Sequence, residues 1–365
     1  MAENKNKSFM AKLSKIDGAV NDRSSIHTRV LSTKSPSFNF IFGNGWGLPL
    51  GYTMALSGPP KAGKTVISKF MVAQMHADYT DGWALVFNTE MRDRAQLSTN
   101  QARLWGIDLD RYKGFDVNRP ELIFDTISHE IVDLMDQGMD VKMIVIDSIS
   151  SVLGRAGLKN DSVLDRTFAD KATTIGEGLG RVLELQRKYN FGLILPTQIR
   201  AEMDPHEVAR GNKTRMAAAF QLQHHAEYFC FVDEDTTLNG RSDILGNKLE
   251  DLSMTDIKDD AERTGHKIRF CMKNSSCGPK RRAGAFTFDY KLGIINTHEE
   301  VFQLGVNRGV IIHPSNSAYE FEGAKWHGRP SMLDAIKNDH ELYNKILAKV
   351  KEPDIRGLTD GSVVE

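Results

Sequence analysis

Gly58-Pro59-Pro60-Lys61-Ala62-Gly63-Lys64-Thr65 follows a short apolar run, Tyr52–Leu56, and precedes a stretch of helical character, Val66–His76. The octet fits the phosphate-loop pattern G-x-x-x-x-G-K-[ST]. Gly58 and Gly63 let the backbone curl with no Cβ in the way, so that successive N–H groups point at phosphate oxygens. Lys64 supplies a mobile point charge for the β- and γ-phosphates, and Thr65 a hydroxyl for Mg²⁺. The loop and the first helical turn (Gly58, Pro59, Pro60, Lys61, Ala62, Gly63, Lys64, Thr65 and Val66) would wrap the phosphates at the positive end of that helix. A strand before the octet and a helix after it distinguish this from a chance glycine-rich turn. The chain is expected to bind a nucleoside triphosphate.

With 365 residues there is room for one large domain and a smaller one. A formal net charge of −1 supplies no global field toward nucleic acid or membrane, so any polyanion binding must come from local clusters. Cys230, Cys271 and Cys277 lack the paired spacing of a disulfide framework or zinc site and read as reduced core or loop residues of a cytoplasmic protein. No apolar stretch has the length of a membrane span, and the first residues lack a signal-like apolar region. No membrane partner is expected.

Phe9, Met10, Leu13, Ile16 and Val20 recur at roughly helical spacing and predict a short amphipathic helix. It could pack on its own domain or dock on a neighbouring subunit. Beyond Ser37, apolar runs at Tyr52–Leu56, Trp83–Phe87, Lys142–Ile146 and Phe191–Leu195 alternate with helical candidates near Val66–His76, Arg94–Trp105, Leu122–Gln137 and Thr167–Arg187. In the third helix, Ile123, Ile127, Ile131 and Leu134 mark one apolar stripe. This alternation predicts an α/β fold with a mostly parallel central sheet covered on both faces. Chemistry in such sheets gathers beyond the carboxyl ends of the strands.

The run Lys142–Ile146 closes on Asp147-Ser148, where an acid would hold Mg²⁺, through water, or else cap a helix. Trp83–Phe87 leads to Glu90, placed either to orient and deprotonate an attacking water or simply to start a helix in solvent. Phe191–Leu195 ends with Pro196, Thr197 and Gln198, and a neutral amide there could report a γ-phosphate without adding charge. His224-His225, on an expected helix Met216–Tyr228, reads as surface or interface polarity, and Phe220 as interface or core.

In their order along the chain these features resemble the RecA family of DNA recombinases. Leu31–Gly51 is similar to the family's segment before the phosphate loop, and Val145–Ser148 to its metal-binding strand. Gln198–Arg200 matches its sensor glutamine and the start of its second DNA loop. Met272–Asn274 and Gly293–Asn296 match its last core strands, and Glu299–Val306 the opening helix of its C-terminal domain. The resemblance implies a RecA-like P-loop ATPase core at 37–296, an N-terminal polymerisation helix and linker at 1–36, a small C-terminal domain at 297–352 and a tail at 353–365. It implies ATP and Mg²⁺ as cofactors and a homo-oligomeric helical filament on single-stranded DNA that pairs with homologous duplex DNA. Lys64, Glu90, Gln198 and Lys273 would be the catalytic group, and Thr65 and Asp147 the metal group. Arg155, Lys159 and Arg166, and then Arg200, Arg210, Lys213 and Arg215, fall in the segments that correspond to the family's two DNA loops. Lys and Arg there would contact phosphates without reading sequence.

Departures are equally visible. Bacterial members carry a K-x-K pair near the neighbour's γ-phosphate; Lys273 matches the first lysine, but Ser275 stands at the second. Lys280, Arg281 and Arg282 lie close behind and are candidates to replace it. Gly240 to Gly265 is acidic and reads as an exposed insertion, and the family's long acidic tail has no counterpart. These differences resemble a divergent, phage-encoded recombinase acting in the cytoplasm of a bacterial or host cell. The competing readings are a hexameric DNA helicase or ring ATPase of the same fold, a small-molecule kinase, and a filament regulator without catalysis. The short N-terminal helix argues against the first, the lack of a lid against the second and Glu90 against the third.

Overall fold

The computed structural model describes residues 29–43, 46–91, 99–152, 168–201, 214–216, 224–234, 265–276, 278–315 and 317–352, with Lys12, His206 and Leu222; at 168–172, 200–201 and 214–216 only the backbone is described. Apart from Lys12, the expected N-terminal helix lies outside these residues, as do Phe220, Cys277 and the acidic stretch up to residue 264.

Strands are numbered along the chain. Val30–Leu31 (β1) pairs with Leu48–Pro49 (β2). Next come Thr53–Gly58 (β3), Trp83–Asn88 (β4), Tyr112–Asp116 (β5), Val141–Asp147 (β6), Gly192–Ala201 (β7), Thr214–Met216 (β8) and Tyr228–Glu234 (β9). Gly265–Ser275 (β10), Ala283–Asp289 (β11) and Gly293–Ile295 (β12) complete the main sheet. Its order is β12-β11-β10-β9-β3-β7-β6-β4-β5, with β8 paired to β7 beyond that path. From β9 to β5 every pair is parallel, whereas β9 to β12 pair antiparallel. The expected α/β architecture with a mostly parallel central sheet is therefore observed.

Near-continuous apolar strands are what a sheet covered on both faces requires. Side chains alternate between the faces with period two. Met54, Leu56, Met143, Val145 and Ile194 join one core cluster with the helix Lys64–Asp78. Ala55, Ile144, Ile146, Leu193 and Leu195 join a second, beneath the helices Pro120–Thr126 and Phe168–Tyr189. A third cluster lies downstream, where the helices Thr297–Asn307, Gly328–Asn338 and His340–Lys351 pack with a small sheet of Ile312–Ser315 (β13), Ala318–Phe321 (β14) and Ala324–His327 (β15). No helix among the described residues is long and apolar enough to cross a membrane.

Three local expectations are corrected, and one strand has no counterpart among the predicted runs. The stripe Ile123, Ile127 and Ile131 continues to Met135, while Leu134 is 45% exposed. A π-helical turn, Ile127–Ile131, widens the spiral there and keeps four-residue spacings on one face. Gln198 does not end its strand: β7 runs on to Ala201 because β8 pairs with its extension. Met216 closes β8 and Tyr228 opens β9, so the expected helix includes neither of them; among the described residues between, Leu222, His224 and His225 are helical. Finally, β5 carries no apolar run to mark it; it sits at the sheet's edge, where Tyr112 is buried and Lys113 exposed.

Ile127→Ala should cost about 2–5 kcal/mol of stability, whereas Leu134→Ala should stay within about 0.5 kcal/mol. Urea unfolding midpoints of the two variants test which residue the wide turn buries.

Candidate nucleotide site

Register brings the strand ends together. Gly58 lies opposite Gln198 in the β3–β7 pair, and Asn88 opposite Asp147 in the β4–β6 pair. The loop after β3 therefore opens beside the ends of β6 and β4. A Cβ at Gly58 would lie 2.1 Å from the Val232 carbonyl oxygen, so only glycine lets β9 approach this closely. Gly63 sits at φ +97° immediately before the helix Lys64–Asp78, a left-handed conformation that glycine adopts without strain. That helix presents its unsatisfied N–H groups to the loop.

Lys64 folds back onto the loop, its Nζ donating to Gly58 O at 3.0 Å and Pro59 O at 2.7 Å. Burial lowers its pKa, while the negative charges of Asp147 and Glu90 act in the opposite direction. Thr65 Oγ1 donates to Asp147 Oδ2 at 2.6 Å. Burial raises the Asp147 carboxyl above the usual carboxylate range; the Thr65 hydrogen bond opposes this, Glu90 adds to it, and Lys64 and Lys69 oppose it. Thr65 and Asp147 together form an all-oxygen donor pair that fits a hard divalent cation. Among the described residues no three His, Cys, Asp or Glu side chains cluster as metal ligands. Such a cation would complete its shell with water and phosphate oxygens, as magnesium commonly does. Tyr112 stands near this carboxylate, its hydroxyl pushed up to about 12 by burial first and then by Asp147 and Asp116.

Glu90 is held from several directions. Its Oε1 accepts from Gln198 Nε2 at 2.6 Å, Ser148 Oγ at 3.0 Å and Ser151 Oγ at 3.2 Å. Ser148 Oγ also lies 3.0 Å from Ser150 Oγ and 2.8 Å from Ser151 Oγ, and Ser150 Oγ accepts from the Gln198 backbone N–H at 3.3 Å. Thr89 links the ends of β4 and β6, its hydroxyl donating to Ser148 O at 2.6 Å and its N–H to Asp147 O at 2.8 Å. The Asp147–Ser148 peptide bond is cis. The sequence marks Glu90, Asp147 and Gln198 but not the roles of Thr89, Ser150 and Ser151. The hydroxyl-rich run Ser148-Ile149-Ser150-Ser151 directly after the acid is the available signal.

Lys273 is not joined to this group. It lies on β10, two strands from β3, with its ammonium 5.3 Å from the Phe231 ring centroid. Ser275 is buried. Of the three cations behind it, Arg282 donates to Phe40 O at 2.9 Å and stacks on the Phe40 ring, while Lys280 and Arg281 are exposed. Arg155, Lys159, Arg166, Arg210 and Lys213 lie outside the described residues. Arg200 and Arg215 are described in backbone only, as opposite partners in the β7–β8 ribbon. Cys230 is buried and Cys271 half-buried, and both are free thiols.

A family model for the RecA N-terminal domain matches residues 7–250. Similar proteins include the Protein RecA of Desulforapulum autotrophicum, 26% identical over 324 residues, or 88% of this chain and 83% of that protein. The Protein RecA of Chloroherpeton thalassium is 24% identical over 342 residues, 93% of this chain and 85% of that one. That of Azospirillum lipoferum is 23% identical over 327 residues, covering 89% and 81%.

The raised Asp147 carboxyl has a consequence for stability. A carboxyl with a raised folded-state pKa holds its proton longer folded than unfolded, so stability falls as pH rises from the ordinary carboxylate range, about pH 4, through the folded value. Asp147→Asn removes that loss. Without divalent cations, the variant's unfolding free energy should exceed the parent's by an amount that grows from about pH 4 toward neutrality. A gap independent of pH in urea titrations would contradict the assignment.

Proposed function

The chain belongs to the RecA family, and from that membership we propose that it is an ATP-dependent recombinase. It forms a helical filament on single-stranded DNA, hydrolyses ATP when bound there, and pairs the strand with homologous duplex. The observation that carries this reading is the Gln198 amide donating to Glu90 beside the phosphate loop, which couples a neutral sensor to an acid base. On this reading residues 37–296 are the ATPase core, 297–352 a small C-terminal domain followed by a tail at 353–365, and 1–36 the polymerisation helix and linker, and the protein acts in the cytoplasm.

The loop Gly58–Thr65 wraps the polyphosphate, and Lys64 exchanges the neutral carbonyls of Gly58 and Pro59 for charged phosphate oxygens. Mg²⁺, held by Thr65 Oγ1 and through water by Asp147, would neutralise charge on the β- and γ-oxygens. Glu90 orients a water for in-line attack on the γ-phosphorus and takes its proton, with ADP leaving. Ser148 and Ser151 hold the carboxylate while the Gln198 amide is free to turn toward a γ-phosphate. Lys273 reaches a nucleotide on the neighbouring subunit, since its own site lies apart from it. Arg155, Lys159 and Arg166 with Arg200, Arg210, Lys213 and Arg215 contact DNA phosphates; the β7–β8 ribbon, which pairs positions 200 and 215, supports this.

Lys64→Ala should abolish productive nucleotide binding. Glu90→Gln should keep ATP-dependent assembly and slow turnover by about 10²–10⁴-fold. The decisive measurement is ATPase rate with and without single-stranded DNA, combined with electron microscopy. Stimulation with helical filaments is expected; closed rings would point to a ring ATPase, and indifference to DNA would refute the recombinase reading.

A further inference from the structure

Away from the phosphate loop, the helix Thr297–Asn307 encloses a cavity of about 410 Å³ with β11 and the helix Pro36–Phe40. That volume lies within the range of small-molecule sites, about 300–1,000 Å³. Glu300, only 6% exposed, lines it. Glu300 Oε2 accepts from Ser35 Oγ at 2.5 Å and from the Ser37 N–H at 3.0 Å. Its Oε1 has no partner among the described residues. Burial pushes this carboxyl up to about 8, against the pull of hydrogen bonds from Ser35 and from the N–H and side chain of Ser37.

Three arginines line the same cavity, each with an aromatic neighbour. Arg282 lies 4.1 Å from the Phe40 ring centroid and Arg308 5.7 Å from the same centroid. Arg329 lies 5.6 Å from the Phe302 ring centroid. Arg308 donates to Glu352 O at 2.8 Å, but no carboxylate among the described residues pairs with Arg308 or Arg329. Among the described residues of the lining, Glu299 is the only acid apart from Glu300. Stacking limits the rotamers of a guanidinium while leaving its in-plane donors available.

We propose that this cavity is a second anion site that takes the terminal phosphate of a small phosphorylated molecule. Its donors outnumber what one carboxylate accepts and suit the oxygens of a tetrahedral phosphate. The volume beyond one phosphate leaves room for an organic body. A cavity of this size admits a terminal phosphate and not the backbone of a duplex. The proposal is independent of the reading of the nucleotide site.

The test is calorimetric titration of the full chain with inorganic phosphate and with pyrophosphate, using Lys64→Ala to silence the loop. One phosphate-binding event should survive Lys64→Ala. Adding Arg308→Gln and Arg329→Gln should weaken it by about tenfold or more. Arg329→Gln alone, at an exposed position, should act in the same direction should the triple variant fold poorly. Loss of all phosphate binding with Lys64→Ala, indifference to the arginine changes, or binding of a short duplex but neither phosphate probe would each overturn the proposal.

Discussion

Parallel pairing of β3 with β7 sets Gly58 beside Gln198, and pairing of β4 with β6 sets Asn88 beside Asp147. Every group of the candidate site hangs on these two registers. Side chains alternate along a strand, so a slip of one residue would exchange the faces of a whole strand. Met143 and Val145 would leave their cluster for the one that holds Ile144 and Ile146. Both clusters are predominantly apolar, yet their residue sizes differ along each strand, and close packing tolerates such changes poorly. Packing of the core thus fixes the register, and the register fixes where the polar strand ends meet.

Within that frame the site holds its charges close and partly shielded. Lys64 rests on two neutral carbonyls of its own loop. A neutral acceptor is a weaker partner for an ammonium than a phosphate oxygen, so a polyphosphate competes well for it. Glu90 Oε1 accepts from Gln198, Ser148 and Ser151, which together fix the direction of its carboxylate. Only Gln198 comes from β7; both serines come directly after β6. A shift of the β7 end relative to β6 would therefore alter one donor and leave two. This makes the carboxylate's environment responsive to movement of the β7–β8 ribbon without releasing the side chain.

Much of this is legible in sequence because local rules and tertiary demands coincide in the central strands. The β3, β6 and β7 apolar runs, the glycines of the loop and the acid after β6 each carry a signal that needs no knowledge of neighbours. The parts that escape are those decided by a neighbour. β5 is an edge strand of mixed residues, Tyr-Lys-Gly-Phe-Asp, and presents no apolar run. β7 extends past Gln198 only because β8 pairs with it. The exposure of Leu134 depends on a π-turn that no propensity marks. Ser150 and Ser151 become informative only when register places them against Gln198 and Glu90.

The break at Ser275 has a structural reading of its own. Along the first part of β10 the alternation is regular, with Ile268, Phe270 and Met272 in the core and Arg269 exposed. Between Met272 and Asn274 the register against β9 shifts, so that Met272 faces Cys230 and Asn274 faces the next residue back, Phe229. A bulge of this kind inserts one residue and reverses the inward–outward phase of the strand beyond it. Lys273 and Asn274 are consequently both exposed, and Ser275 turns inward to 4% exposure. A lysine at 275 would carry its ammonium toward the interior, where an unpaired charge is strongly unfavourable. Small size and a hydroxyl suit that position better. The missing second cation and the bulge are thus two aspects of one arrangement, which leaves Lys273, Lys280 and Arg281 as exposed charges at this end of the sheet.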